Sequence, residues 1–180
     1  MKINFTKFLF LIFFLISCIN ENKKQTNTYF SLVEFFNQET VRLIKQKKTL
    51  NKIIKNDEII KQKIISEIDW NKELEIFKEC DINKPAWKSL YHIENEQLGN
   101  ETIVRFTALE DDLLIKNICI KKNIENNVVE IQINKSTKNN LYSSEEELIY
   151  NIKTGYSIKR NQKVFLLGNS KLYIKASFLL

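Results

Sequence analysis

Apolar positions recur along the first third of the chain with the period of a helix. Val33, Phe36, Thr40 and Leu43 stand three or four residues apart, and Leu32 and Phe35 widen the stripe. This spacing predicts a helix over 29–47, capped by Thr28 or Ser31 and closed by a Lys-rich last turn that suits the helix dipole. The period then changes. Residues 49–55 and 58–65 are rich in Ile and Lys and flank Asn56-Asp57, a pair that tolerates the positive φ of a tight turn. A two-stranded hairpin follows from that pattern. One long continuous helix is the competing reading, because Lys, Ile and Leu do not forbid it. A second helix is expected over 70–80: Asp69 is a good N-cap, Glu73 adds negative charge early, and Trp70, Leu74 and Phe77 form one face. Pro85 disfavours helix at Lys84 and ends that region.

From Ser89 onward the pattern is alternating. Val129, Ile131 and Ile133 share one face against Glu130, Gln132 and Asn134, and Leu172, Ile174, Ala176 and Phe178 form another apolar row. Strands are expected at 89–96, 102–109, 114–122, 128–134, 147–152, 156–160, 163–167 and 172–178. The turns fall at Gly99-Asn100, Glu125-Asn126-Asn127, Thr154-Gly155, Asn161-Gln162 and Gly168-Asn169. One wet face and one dry face is the habit of antiparallel sheets, and no βαβ rhythm is present. The expected fold class is α+β. Two N-terminal helices, with a hairpin between them, pack on a curved, mostly antiparallel sheet of about seven to nine strands. Lys and Glu on the outer faces help to protect its edges.

The beginning of the chain is of a different kind. Lys2 and Lys7 precede an unbroken apolar run from Phe8 to Ile16, which is too short for a bilayer span of about 20 residues. Leu15-Ile16-Ser17-Cys18 resembles the bacterial lipobox. That resemblance implies cleavage before Cys18, a lipidated Cys18 as the first mature residue, and a membrane as partner through it. Two or three acyl chains hold a protein stably where one does not. The expected organisation is a signal peptide over 1–17, a polar tether over 18–28 and one globular domain over 29–180. Ile19 follows the anchor where an inner-membrane lipoprotein often carries Asp, which favours the outer membrane, facing the periplasm or the exterior.

Composition narrows the function classes. With 3 Gly and 1 Pro the chain is not a low-complexity polymer. The wealth of Ile, Lys and Asn reads as the codon bias of an AT-rich genome, which lowers the weight of any single Lys. The formal net charge is +6, but Lys alternates with Glu and Asp, and Arg occurs only at Arg42, Arg105 and Arg160. Nucleic acid is therefore not an expected partner, since its sites carry a clustered basic stripe. Beyond Cys18, Cys80 and Cys119 remain, and a disulfide between them is left open. The single His92 and the lack of paired Cys at ligand spacing argue for no metal and no cofactor.

The most distinctive loop is Asp81-Ile82-Asn83-Lys84-Pro85-Ala86-Trp87-Lys88, followed by Tyr91. It resembles a segment shared by a group of uncharacterised lipoproteins of Gram-negative bacteria, as do 163–168 and Tyr173-Ile174. The resemblance implies a cell-envelope lipoprotein and supplies no catalytic residue. Asp81, Lys84 and Trp87 are the candidates for a binding loop, although turn chemistry explains each of them. His92 has no identifiable nucleophile or carboxylate partner for general-base work. Glu110-Asp111-Asp112 and Glu145-Glu146-Glu147 lack the alternating spacing of a calcium loop and read as solvated turns and a strand entry. No G-x-S-x-G, P-loop or H-E-x-x-H occurs. The expected function is a non-enzymatic binding or assembly module of the envelope. The alternatives are a carrier of apolar ligands (a lipid or a lipoprotein acyl chain) in a half-open sheet, with Phe30, Phe35, Phe36, Phe106, Phe165 and Phe178 available as lining, and a hydrolase built on His92.

Overall fold

The computed structural model describes residues 27–179. Helix α1 spans Leu32–Lys45, and Ser31 caps it by accepting from Glu34 N. Its buried stripe is Leu32, Phe36, Glu39, Thr40 and Leu43; Val33, expected on that stripe, is 42% exposed. The expected second helix is split. α2 covers Trp70–Glu73 and α3 covers Glu75–Lys78, with Leu74 between them at φ −96°, ψ 1°. Asp69 caps α2 through Lys72 N. Phe77 N and Lys78 N both donate to Leu74 O, so the coil tightens there while Trp70, Leu74 and Phe77 all stay buried.

Nine strands make one open antiparallel sheet in the order β2-β1-β9-β8-β7-β6-β5-β4-β3. They are β1 Thr49–Asn56, β2 Ile59–Ile65, β3 Tyr91–Leu98, β4 Glu101–Ala108, β5 Ile115–Lys122, β6 Val128–Lys138, β7 Tyr142–Asn151, β8 Gly155–Val164 and β9 Gly168–Leu179. The fold is α+β, and the hairpin between the helices forms, with Asp57 taking φ +50°. Its loop is Asp57-Glu58, one residue later than the sequence pattern suggested.

Two expectations are corrected within this sheet. Asn161-Gln162 is not a turn: both sit inside β8, paired to Glu145 and Ser144 on one side and to Lys171 and Ser170 on the other. Ladders on both flanks satisfy the backbone there, and that outweighs the local turn propensity. Glu145-Glu146-Glu147 is likewise no strand entry but the middle of β7. Repulsion along the run is relieved because Lys135 and Arg160 flank Glu146, and Lys159 lies opposite Glu147.

The register explains the core. Phe106, Ile118, Ile133, Leu148, Ile158, Ile174 and Ile54 form one row across seven strands. The next row contains Ile120, Ile131, Tyr150, Tyr156 and Ala176. The helices bury their apolar stripes on these rows. Phe36 stacks on Phe77 at 5.0 Å between centroids and meets Tyr150 edge-on at 5.0 Å. The opposite face is polar and carries cross-strand ion pairs such as Lys121–Glu130 at 3.0 Å and Lys159–Glu147 at 2.7 Å.

Candidate functional site

The DINKPAW segment folds as a clasp on the entrance to the domain. Asp81 accepts from Val33 N at 2.9 Å and from Ser31 Oγ at 3.2 Å, which puts a carboxylate on the N-terminus of α1. Its other oxygen accepts from Asn83 N and Asn83 Nδ2 at 2.8 and 2.9 Å. Asn83 accepts from Tyr29 N at 2.9 Å and donates to Phe30 O at 3.2 Å. The Tyr29 hydroxyl donates to Lys88 O at 2.7 Å, and its ring packs edge-on against Tyr91 and Phe106. Pro85 opens a short 3-10 turn, Pro85–Trp87, and the Lys84 ammonium lies 4.0 Å over the Trp87 ring. Lys84 and Trp87 are thus brought together, while Asp81 works apart from them. Asp81 and Lys84 line an open hollow of about 630 Å3 with Asn27, Ser31 and Lys78.

Replacing Asp81 with Ala removes four acceptor contacts and the charge at the helix start. A loss of about 1–3 kcal/mol is expected, read as a lower denaturation midpoint together with faster amide exchange over 29–34. Asp81→Asn keeps one acceptor but turns an NH2 toward either Val33 N–H or Asn83 N–H, and should lose about half of that or more.

Two further constellations tie the helices to the sheet. The Tyr150 hydroxyl donates to Glu39 Oε2 at 2.6 Å, and Arg42 grips the same carboxylate at 2.6 and 2.9 Å while also donating to Ile152 O. On the neighbouring strand Tyr156 donates to Glu73, which also holds Lys52 Nζ at 2.7 Å. Tyr150 and Tyr156 are direct partners across β7 and β8. Burial first, then the nearby carboxylate, pushes both phenols far above the ordinary tyrosine range. The clue for Glu39 is legible in the sequence, since it falls between Phe36 and Leu43 on the apolar stripe where a charge must find a partner.

Beyond the helices the same sheet face turns polar. Glu146 is held between Lys135 at 3.6 Å and Arg160 at 3.2 Å, and Ser144 Oγ and Arg160 Nε are buried with no hydrogen-bond partner. Burial pushes the nearby Cys80 thiol up to about 11. Cys80 lies in the core and Cys119 on the polar face, between the inward Ile118 and Ile120, so both are free thiols. His92 is on the exposed strand β3, 3.7 Å from Glu94. Among the described residues no group of three His, Cys, Asp or Glu could hold a metal ion.

The last feature is apolar and exposed. The β8–β9 turn presents Phe165, Leu166 and Leu167 at 62%, 90% and 85% exposure, beside Leu141 of the β6–β7 turn at 66%. Phe165 N donates to Leu141 O at 2.8 Å, so the two turns form one tip. Leu166 also takes φ +68°, a left-handed conformation that costs a side-chain-bearing residue about 1–2 kcal/mol. Its signal in the sequence is an apolar triplet placed directly before Gly168. Of the six phenylalanines considered as cavity lining, Phe36 and Phe106 are buried and Phe30, Phe35 and Phe178 pack against the core; Phe165 alone faces solvent.

Compared with protein-family models, with curated proteins and with solved structures, the chain matches none. Its class is therefore defined by its own geometry: short N-terminal helices on one open, nine-stranded antiparallel sheet. Among the described residues no helix is long and apolar enough to cross a membrane. The expected lipidation at Cys18, the expected signal peptide and the expected tether up to residue 26 lie outside the described residues.

Proposed function

We propose that this chain is a lipid-anchored protein of the bacterial cell envelope, outer membrane in preference to inner, that acts as a non-enzymatic binding or assembly module. The observation that carries the reading is the tip formed by Leu141, Phe165, Leu166 and Leu167. Natural surfaces seldom combine a strained backbone with a cluster of exposed large apolar side chains unless something contacts them. Two other features support it. Tyr29 sits beside the start of β3, at the same end of the sheet as the tip, which suits an anchor joined to the domain from that end. The binding-loop candidates Asp81, Lys84 and Trp87 are occupied in the clasp.

The test uses the full chain in its host envelope, with a photo-reactive residue at Leu166 and, as a control, at Ile124 in the β5–β6 turn at the opposite end, which is 77% exposed. Discrete protein adducts from position 166 and none from 124 are expected. They should vanish with Cys18→Ala, which also abolishes incorporation of labelled palmitate. Equal labelling from both positions, or palmitate retained in the Cys18 variant, overturns the reading.

A further inference from the structure

The sheet ends in two open edges, β2 and β3, whose residues are exposed apart from Ile65 and Tyr91. We propose that these edges pair with each other between copies of this chain, antiparallel and head to tail. This inference names the partner for the assembly role proposed above, and it rests on that reading.

The hydrogen-bonding parity of each edge follows from its hairpin. Both loops have two residues, Asp57-Glu58 and Gly99-Asn100, with Asp57 at φ +50° and Gly99 at φ +59°. In such a hairpin the residues flanking the loop exchange backbone hydrogen bonds, and the pattern then alternates. Ile59, Lys61 and Lys63 therefore turn their backbone groups toward β1. Ile60, Gln62 and Ile64 turn theirs outward. On β3 the same count leaves Ile93, Asn95 and Gln97 facing outward.

An antiparallel contact must set outward-facing residues opposite one another. Pairing Ile64 with Ile93 and Gln62 with Asn95 matches apolar to apolar and amide to amide, and the same register sets Ile60 opposite Gln97, the one unlike pair among the three. The residues between them then fall in place: Lys63 opposite Glu94, Lys61 opposite Glu96, Ile59 opposite Leu98. Directly opposed unlike charges stabilise a ladder, and like charges destabilise it. Sliding the register by two keeps only one of the two ion pairs. Pairing β2 with a second β2 sets Lys61 against Lys63, and pairing β3 with β3 sets glutamates against glutamates. The charges that block each edge from its own kind fit the other edge. Lys61, Lys63 and Glu96 have no ion-pair partner among the described residues; Glu94 lies 3.6 Å from Arg105 and 3.7 Å from His92.

The parity also fixes how copies stack. Lys61 is opposite Ile54, on the helix-bearing face, whereas Glu94 is opposite Arg105, on the other face. Each successive copy is thus turned over, and its helices lie on the opposite side of the shared sheet from those of its neighbour. A heterologous contact of this kind gives open chains or rings, not a closed twofold dimer.

The test is sedimentation of the full chain extracted in detergent, corrected for bound detergent, across a concentration series. The wild type should form species larger than a dimer as concentration rises. K61E/K63E and E94K/E96K should each raise the concentration for half-assembly by about tenfold or more, with unchanged circular dichroism and melting temperature. An equimolar mixture of the two variants should assemble again, because each then offers the edge that the other lacks. A wild type that stays monomeric, assembly that persists in both charge-reversed variants, or a mixture that does not re-assemble overturns the pairing. A monomeric wild type that still gives protein adducts from position 166 overturns edge pairing alone and leaves the binding-module reading standing.

Discussion

Gly155→Ala is expected to leave the chain largely unfolded, or to lower its stability by more than about 3 kcal/mol. Gly155 starts β8 at φ +117°, outside the range that a side-chain-bearing residue adopts. A Cβ there would lie 2.0 Å from Ala176 O and 3.0 Å from Ala176 C. Both are backbone atoms of β9, and no flexible side chain can move aside to make room. Relief would require β8 and β9 to separate beside Tyr156 and Ala176, which belong to the core. The internal control is Gly99→Ala. Gly99 also has positive φ, but a Cβ added there would meet nothing within 4 Å. That substitution should cost about 1–2 kcal/mol from backbone strain alone. Denaturant midpoints of the two variants decide the matter, and equal losses would show that the close approach to Ala176 carries no cost.

Glu39→Ala is expected to cost about 2–4 kcal/mol, somewhat below the range for removing one partner of a fully buried ion pair, because the Arg42 side chain is 31% exposed. It leaves the Tyr150 hydroxyl buried without an acceptor and Arg42 with no carboxylate beside its bond to Ile152 O. Tyr150→Phe should cost less, about 1–3 kcal/mol, because the Glu39–Arg42 pair survives. In the double variant the losses should fall short of additive, since both act on one network. The same groups set the alkaline limit of stability. Tyr150 and Tyr156 hold their protons in the folded chain well above the ordinary tyrosine range, because burial and the adjacent carboxylates Glu39 and Glu73 oppose ionisation. Stability is then insensitive to them below about pH 10 and falls as pH rises further, where the unfolded chain ionises and the folded chain does not. Cys80, pushed up to about 11 from 9.0, adds to the decline from about pH 9. Tyr150→Phe should flatten part of that slope in denaturation midpoints taken at pH 8, 10 and 11. An unchanged slope would remove Tyr150 as its source.

Much of the fold was legible because one period held over each stretch. The stripe through Phe36 and Leu43 gave α1, and Asp69 with Trp70, Leu74 and Phe77 marked the second helical region. The alternation of Val129, Ile131 and Ile133 gave β6 its buried face.

Sequence period could not decide pairing. Whether Asn161-Gln162 bends or extends depends on ladders supplied by β7 and β9, and those partners lie 16 to 18 residues away on one side and about nine on the other. The acidic run at 145–147 is tolerated only because the register lays Lys135, Lys159 and Arg160 beside it. The clasp is similar. Turn chemistry explains Asp81 and Pro85 locally, but the helix start that Asp81 holds is about 50 residues earlier in the chain. By itself the sequence determined the α+β class, the two helical regions and most strand positions. Only the tertiary structure decided that the sheet stays open with β2 and β3 at its edges, that Glu39 and Glu73 anchor the helices to a tyrosine pair, and that Phe165, Leu166 and Leu167 stand exposed. The physical reason is that periodicity reports which face of an element is apolar, whereas neighbours, and so partners for charges and free edges, are set by contacts between residues far apart in the chain.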